Sequence, residues 1–305
     1  MHIIRAFLAL AVLLQFGQCL AVPQLFAADG RVLVFGRVHN DPVRAIRDRQ
    51  EFVDYLAKKL QPAGITSAKI LVVEKLSQLA RAVKEGEVDL FHDSVVPTMV
   101  LSRLSGSVPI LRQWKSGQAE YDSVILVNKN SGIAALSDLQ GKKVAFDEPH
   151  STSAHVVPRM LFADKKIKMI HLKANDEAEP HAVGYVFGSD GSAINFLISG
   201  RADAAATSTR EFKELRPDVR ETLKVIGNSM AVPRQLLSVR KDLDAKLRNA
   251  LKVTLLAMDN DPEGREILKR QQKTTKFDEL SPASMERLRT IEKFVFTLPE
   301  RVDSW

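Results

Sequence analysis

Apolar residues occur along the chain either in short unbroken runs or at helical spacing, and the two patterns alternate. Residues 31–36 form a short, mainly apolar run that predicts a buried strand, and Asp41-Pro42 has the form of a helix start. Residues 68–91 repeat the strand-helix-strand order. Such alternation predicts parallel sheets with helices on their faces, and ligands of these sheets bind beyond the carboxyl ends of the strands. We therefore expect residues 39–41 and 92–94, which follow predicted strands, to border a ligand site.

The alternation continues to residue 239, and long helices follow it. The remaining predicted strands cover residues 121–127, 144–146, 183–187, 202–206 and 236–239. Amphipathic helices are predicted over residues 243–258, 262–270 and 282–294. The last two begin with the pairs Asp261-Pro262 and Ser281-Pro282, in which a capping residue precedes a proline.

These elements predict an α/β protein of two lobes, each a mixed and mostly parallel sheet flanked by helices. Residues 29–118 and 232–305 are assigned to lobe I, and residues 119–231 to a lobe II inserted into it. A chain of 305 residues is long enough for two such units. The crossings between them are expected near residues 115–121 and 229–236.

Residues 1–28 have the order of a secretory signal peptide. Arg5 precedes nine apolar residues, Ala6 to Leu14, and small residues allow cleavage after Ala21 or after Ala28. Nine residues are too few for a helix that spans a bilayer, and a short uncleaved anchor is the alternative. We therefore predict an exported protein.

Composition and charge exclude several classes of function. The only cysteine is Cys19, so the rest of the chain can form no disulfide, thiolate metal site or cysteine nucleophile. The formal net charge of +7 favours anionic partners. Basic residues are scattered, and the aromatic residues, 6% of the chain, do not lie among them. No nucleic-acid partner is therefore predicted.

Three successive hydroxyl residues, Ser151, Thr152 and Ser153, lie between a predicted strand and a predicted helix. At a helix start they can direct several O–H groups, together with the unpaired N–H groups of the first turn, at one point. The positive end of the helix dipole adds to this, so the segment suits a tetrahedral oxyanion. The alternative is that Ser151 or Ser153 simply caps the helix.

The segment Phe146-Asp147-Glu148-Pro149-His150-Ser151-Thr152-Ser153-Ala154 resembles the Phe-x-Asp-Pro-x-Ser-Thr-Ser-Gly pattern of a known family. That family is the periplasmic phosphonate, phosphite and phosphate binding proteins of ABC transporters. Further similar segments occur in the family's order: Gly86 to Leu90, Tyr121 to Ser123, Ser137 to Lys143 and Gly200 to Ala204. The similarity extends over nearly the whole chain after the signal segment.

The resemblance implies a type II solute receptor whose two lobes close on a ligand. It implies that Ser151, Thr152 and Ser153 grip an oxyanion, that Tyr121 donates from the hinge side, and that Asp93-Ser94 contributes from the other lobe. The implied protein is a periplasmic monomer without a cofactor or catalytic residues. It would deliver its ligand to an ABC permease in the inner membrane.

The sequence departs from the family pattern at three places. Ala154 replaces a glycine, residues 95–99 lack an expected tyrosine, and Ser189-Asp190 replaces an expected Ser-His pair. Asp190 would repel a bound dianion unless the ligand also carried an amine or a proton. These departures concern the identity of the ligand more than the fold.

Several histidines fall on loops predicted to border the cleft: His39, His92, His150 and His155. Imidazoles that become cationic below about pH 6.5 would strengthen anion binding as the pH falls. Alternatively, they could bind a divalent metal with Asp41, Asp93 or Asp190. We predict no metal site, because no pair of histidines has helical ligand spacing.

Two other functions use the same features. A periplasmic sensing subunit, whose closure is detected by a signalling partner, requires the same two-lobed fold. A serine hydrolase would require a nucleophile with a histidine and an acid within reach, and the chain contains no Gly-x-Ser-x-Gly elbow. We therefore predict a binding protein and not an enzyme.

Overall fold

A computed structural model describes residues 30–173, 176–188, 193–271, 273–300 and 305. The predicted signal peptide and Asp190 lie outside the described residues. None of the helices in the described ranges has the length and apolar character that crossing a bilayer requires.

Strands and helices alternate over residues 31–93 as the sequence pattern predicts. Farther along the chain some strands follow one another directly, and four strands of three or more residues were not predicted: Val108–Lys115, Met169–His171, Leu223–Asn228 and Thr274–Asp278. The strands are Arg31–Val38 (β1), Ile65–Val73 (β2), Leu90–Asp93 (β3), Val108–Lys115 (β4), Glu120–Tyr121 (β5), Ser123–Asn128 (β6), Lys143–Phe146 (β7), Met169–His171 (β8), Val183–Phe187 (β9), Ala204–Ser208 (β10), Leu223–Asn228 (β11), Val232–Pro233 (β12), Gln235–Val239 (β13) and Thr274–Asp278 (β14). The α-helices are Pro42–Arg47 (α1), Gln50–Lys59 (α2), Leu76–Lys84 (α3), Val95–Ser105 (α4), Val157–Asp164 (α5), Ala193–Ile198 (α6), Thr209–Glu214 (α7), Pro217–Arg220 (α8), Ala245–Leu256 (α9), Pro262–Arg270 (α10) and Pro282–Val295 (α11). A π-helical turn, Thr152–Val156, leads into α5, and two short 3₁₀ helices cover Gln61–Ala63 and Leu136–Leu139.

Two six-stranded mixed sheets are formed by these residues. The first has the order β14-β4-β13-β3-β1-β2, in which β1, β2 and β3 are mutually parallel and β13 and β14 run the opposite way. The second has the order β11-β6-β10-β7-β9-β8, with β6 antiparallel to its two neighbours. We call the units built on these sheets lobe I and lobe II. The predicted lobe boundaries stay a prediction.

The predicted helix starts are confirmed by their capping bonds. The side chains of Asp41, Asp261 and Ser281 accept hydrogen bonds from backbone N–H groups of α1, α10 and α11. These bonds satisfy donors that have no partner within the helix.

The single helix expected after Asp41-Pro42 is instead two helices, α1 and α2, with a break at Asp48 and Arg49. The side chain of Gln271 occupies this break. Its amide group donates to the Asp48 carbonyl at 2.6 Å, and its Oε1 accepts from Nη1 of Arg49 at 2.5 Å. The break therefore directs Arg49 inward, where only 4% of the residue is exposed.

Helix α4 was not expected from the pattern, because it is apolar on almost every side. Its residues Val95, Val96 and Met99 pack against Val156 and Val157 of lobe II. An apolar contact thus joins the two lobes, and it places the start of α4 opposite the start of the π turn.

The chain crosses between the lobes through a small ribbon in which β5 pairs with β12. The carboxylate of Glu120 in β5 accepts hydrogen bonds from Arg112 at 3.1 Å and from Ser284 at 3.2 Å, and it also pairs with Arg287. On the side of lobe II, the N–H of Ser123 donates to Oγ of Ser229, and these two residues lie two and three positions beyond the ribbon. The two crossing segments are therefore bound to each other and, through Glu120, to lobe I.

Candidate functional site

A cavity of about 480 Å³ lies between the lobes, at the carboxyl ends of their parallel strands. Lobe II contributes Tyr121, Asp147, Glu148, His150, Ser151, Thr152 and Ser153 to its lining. Lobe I contributes Arg37, Arg49, His92, Asp93, Ser94 and Gln235, among others. The structure therefore brings together the hydroxyl triplet, Tyr121, His150 and the Asp93-Ser94 pair, as predicted from sequence.

The hydroxyl of Ser151 caps the π turn, so the capping alternative is confirmed for this residue. Its Oγ accepts a hydrogen bond from the N–H of Ala154 at 3.2 Å. Among the described residues, the preceding N–H groups, those of Thr152 and Ser153, have no intrahelical partner. These two amides and the hydroxyl of Ser153 are the donors that the cavity-lining residues Thr152 and Ser153 can offer to a ligand.

Thr152 connects the two lobes. The residue is 2% exposed, and its Oγ1 accepts from the N–H of Val96 at 2.9 Å and donates to Oγ of Ser94 at 3.2 Å. Its hydroxyl proton is therefore used within the protein. The backbone N–H is the donor that Thr152 retains for an anion.

Tyr121 is a neutral hydrogen-bond donor at this site. Burial raises the pKa of Tyr121 to about 12, and nearby Arg234 and the hydroxyls of Ser153 and Thr152 only partly oppose this. The guanidinium of Arg234 lies over the ring, 4.4 Å from its centroid. The guanidinium thus packs against one face of the Tyr121 ring, and the raised pKa keeps the hydroxyl protonated at neutral pH.

On the opposite wall, Asp93 directly precedes Ser94, the N-cap residue of α4. One of its carboxylate oxygens accepts from the N–H of Ser94 at 2.7 Å. Burial raises the pKa of Asp93, and the hydrogen bond from the Ser94 N–H opposes that rise. Asp93 therefore orders the Ser94 loop that faces the triplet.

Two further carboxylates border the cavity on lobe II. Burial raises the pKa of Asp147 to about 6, even though its side chain accepts from the N–H of Ala193 at 2.6 Å. Glu148 pairs with Nε2 of His150 at 2.9 Å, and this hydrogen bond lowers the pKa of Glu148. His150 is thereby oriented at the cavity rim.

Two histidines expected at the cleft have other surroundings. His39 does not line the cavity, and its Nδ1 accepts from the N–H of Asp41 at 2.9 Å. The prediction that His155 lies on a cleft-side loop is wrong, because it belongs to the π turn and is fully buried, with Nδ1 2.7 Å from the carbonyl oxygen of Pro149. Burial lowers the pKa of His155 to about 4.

His92 does line the cavity, but it too is held neutral. Burial, together with the nearby charges of Arg49 and Arg37, lowers its pKa well below the ordinary value. The hypothesis of a histidine charge switch therefore fails for His92 and His155. Within the described ranges, no group of three or more His, Cys, Asp or Glu side chains could hold a metal ion.

The sequence analysis missed Arg37 and Arg49, the arginines of the lobe I wall. Arg37 lies near the end of β1, which extends beyond the predicted limit at Gly36, and Arg49 lies at the unpredicted helix break. Residues two apart in a strand point to the same face, so a strand that continued past Gly36 would have placed Arg37 on the face of Leu33 and Phe35.

Comparisons with known proteins agree with this geometry. Residues 38–285 match the model of the family described as "ABC transporter, phosphonate, periplasmic substrate-binding protein". The phosphonates-binding periplasmic protein of Escherichia coli (strain K12) is 27% identical over 178 residues, which are 56% of this chain. The chain spans about half the length of that curated relative, 50%.

Solved structures show the same fold. XAC2383 from Xanthomonas citri, solved with chloride and with ATP, has a TM-score of 0.80 in both forms, at 27% and 26% identity. The matches cover 87% of this chain and 98% and 97% of those chains. PhnD1 from Prochlorococcus marinus (MIT 9301), solved with methylphosphonate, has a TM-score of 0.62 at 17% identity, covering 88% of this chain and 99% of that chain.

These matches confirm the type II periplasmic binding fold that the resemblance implied. The family model covers most of the chain, including all the cavity-lining residues except Arg37 and Trp305. The chain therefore belongs to the family of periplasmic substrate-binding proteins of phosphonate ABC transporters.

Proposed function

We propose that the protein captures a phosphonate, phosphite or phosphate-type oxyanion between its lobes and delivers it to an ABC permease. The observation that carries the proposal is that the Ser151 to Ser153 segment, at the start of the π turn, and the Asp93-Ser94 pair line one shared cavity. A phosphorus oxyanion at this point would meet the amides of Thr152 and Ser153 and the hydroxyls of Ser153 and Tyr121. These donors are charge-neutral and preorganised, as recognition of a small anion requires.

The proposal also includes the location of the protein, its oligomeric state and its ligand class. Export through the predicted signal peptide would place the protein in the periplasm, where it would act as a monomer, without a cofactor and without catalysis. The ligands bound in similar structures, methylphosphonate in PhnD1 and ATP in XAC2383, support phosphorus oxyanions as the chemical class. The range from methylphosphonate to ATP means that organic phosphates belong in any test of binding.

A thermal-shift screen tests the proposal directly. Phosphate, phosphite, methylphosphonate, aminoethylphosphonate, ATP and sulfate are added separately to the purified protein. A ligand at a hundred times its Kd stabilises the folded form by about 2.7 kcal/mol. For a domain of this size that raises the Tm by roughly 5–10 °C. If no phosphorus oxyanion raises the Tm and calorimetry detects no binding, the proposal is wrong.

Binding is expected to weaken with rising pH because of Asp147. With a pKa of about 6, this carboxyl group is neutral at pH 5 and anionic at pH 8, where it repels the bound anion. Asp147→Asn should therefore bind methylphosphonate about tenfold more tightly than the wild type at pH 8 and equally well at pH 5. Calorimetry on both proteins gives the ratio of the variant's affinity to that of the wild type at each pH. Protonation of the ligand affects both affinities equally and therefore cancels from the ratio. A ratio that does not change with pH would remove Asp147 from the site.

A further inference from the structure

The wall that lobe I contributes to the cavity contains two arginines without carboxylate partners. Arg49 is 4% exposed, and the only hydrogen bond of its side chain among the described residues goes to the neutral side chain of Gln271 at 2.5 Å. The Nε atoms of Arg49 and Arg37 are both buried and have no hydrogen-bond partner within the described residues. His92 lines the cavity on the same wall, and its Nε2 atom is also buried without a hydrogen-bond partner within the described residues.

The nearest acidic groups are occupied elsewhere. Asp48 lies 3.7 Å from the guanidinium groups of Arg44 and Arg47 on the protein surface. Asp93 caps Ser94, and across the described chain no carboxylate lies within 4 Å of Arg37 or Arg49.

The other acidic groups at the cavity are also engaged or lie at its edge. On lobe II, Glu148 is paired with His150, and Asp147 accepts from the N–H of Ala193. Glu74 is exposed at the rim. The lobe I wall therefore carries two guanidinium groups and one carboxylate, that of Asp93, whose charge only partly compensates theirs.

Buried cations without a counter-ion are energetically unfavourable. Burial lowers the pKa of both arginines, to about 10 for Arg49, and the charge of Arg37 lowers that of Arg49 further. An anion bound in the cavity next to the two guanidinium groups would remove this energetic penalty. Planar guanidinium groups bind carboxylate and phosphate with paired hydrogen bonds, and so their open N–H groups suit such an anion.

The hydroxyl turn and the arginine pair are on opposite walls of one cavity. Its volume of about 480 Å³ lies within the range of about 300–1,000 Å³ that is usual for pockets of small organic ligands. A five-atom oxyanion held at the turn on lobe II leaves room for a second group on the side of lobe I.

We propose that Arg37 and Arg49 form a second anion subsite, so that the ligand is a phosphorus oxyanion carrying a further anionic group, either a carboxylate or another phosphate. This inference rests on the proposed function, in which the first oxyanion binds at Ser153. It also implies that ligands carrying an amine are disfavoured, because an ammonium group would lie beside two guanidinium groups.

Calorimetry with four ligands tests the inference: methylphosphonate, phosphonoacetate, pyrophosphate and 2-aminoethylphosphonate. We expect the wild-type protein to bind phosphonoacetate or pyrophosphate at least tenfold more tightly than methylphosphonate, and 2-aminoethylphosphonate more weakly than methylphosphonate. The comparison between phosphonoacetate and pyrophosphate shows which second group the subsite takes.

Arg37→Met and Arg49→Met should each reduce the ratio of doubly to singly anionic ligand affinity to about one. Both affinities are measured on the same protein, so partial loss of stability does not change the ratio. Arg44→Met is the matched control, since Arg44 is exposed on α1 and does not line the cavity. It should preserve the ratio.

The outcomes separate the two proposals. If methylphosphonate binds as tightly as phosphonoacetate and pyrophosphate, or if the arginine variants keep the wild-type ratio, the second subsite is wrong while the proposed function stands. If none of the four ligands binds, the second subsite is wrong, and the proposed function is wrong as well if phosphate, phosphite and ATP also fail to bind.

Discussion

Replacing Ser153 with aspartate is expected to abolish capture of the anion while leaving the protein folded and slightly more stable. The new carboxylate would lie among the free amides of the π turn, where the oxyanion is proposed to bind. Two like charges about 4 Å apart repel by about 4 kcal/mol in a partly shielded environment. The Kd for methylphosphonate should therefore rise about a thousandfold.

The same carboxylate should favour the folded state, because a negative charge near the start of a helix contributes about 0.3–1 kcal/mol. Opposite changes in ligand affinity and Tm thus distinguish loss of the site from loss of the fold. Ser153→Asn, which adds a similar side chain without the charge, is the matched control and should lose much less affinity. Wild-type affinity in Ser153→Asp would mean that the anion binds elsewhere.

Arg159→Met is expected to lower the Tm by roughly 10 °C. Nη1 of Arg159 lies 3.1 Å from both carboxylate oxygens of Glu300 and 3.2 Å from the hydroxyl of Tyr185. The two charged side chains are 9% and 7% exposed. Removing one partner of a buried ion pair costs about 3–5 kcal/mol, because the other charge is left uncompensated. A thermal melt without ligand measures the effect, at about 2–4 °C per kcal/mol.

Two variants show whether the effect comes from the uncompensated charge. Arg289→Met breaks an ion pair with Glu286 that is more than half exposed at both ends, and its Tm should hardly change. The double variant Arg159→Met/Glu300→Met should recover much of the lost stability, since no buried charge remains. A double variant as unstable as Arg159→Met alone would contradict the explanation.

Local patterns in the sequence were sufficient for most of the elements. Residues 183–187 and 262–270 have the predicted bounds, because a short apolar run and a capped amphipathic helix are each specified by neighbouring residues. Helix α4 could not be predicted in this way, since it is buried on nearly all sides and has no polar face. The break between α1 and α2 depends on Gln271, which is distant in sequence and close only in the folded protein.

The candidate site was more predictable on the lobe II wall than on the lobe I wall, where Asp93 and Ser94 were expected but Arg37 and Arg49 were not. The Ser151 to Ser153 triplet is contiguous and follows a strand, and its position at the cavity agrees with the sequence analysis. The separate roles of the three residues were not predictable. The capping bond of Ser151 depends on the backbone geometry of the turn, and the contact of Thr152 with Val96 depends on the position of the opposite lobe. Arg37 and Arg49 escaped notice because single arginines are common on surfaces, and only the fold shows that Arg49 is buried.

The anchoring of Glu120 determines where the molecule can bend. Arg112, Arg287 and Ser284 bind the β5-β12 ribbon to lobe I, and Ser123 binds Ser229 on the side of lobe II. The two crossing segments therefore cannot move independently of each other at either end. A swing of lobe II against lobe I must then be absorbed by the few residues in between, at Asp122 on one side and residues 230–231 on the other. Opening would follow a single axis through those positions, with both linkers turning in step and little sliding of one sheet past the other.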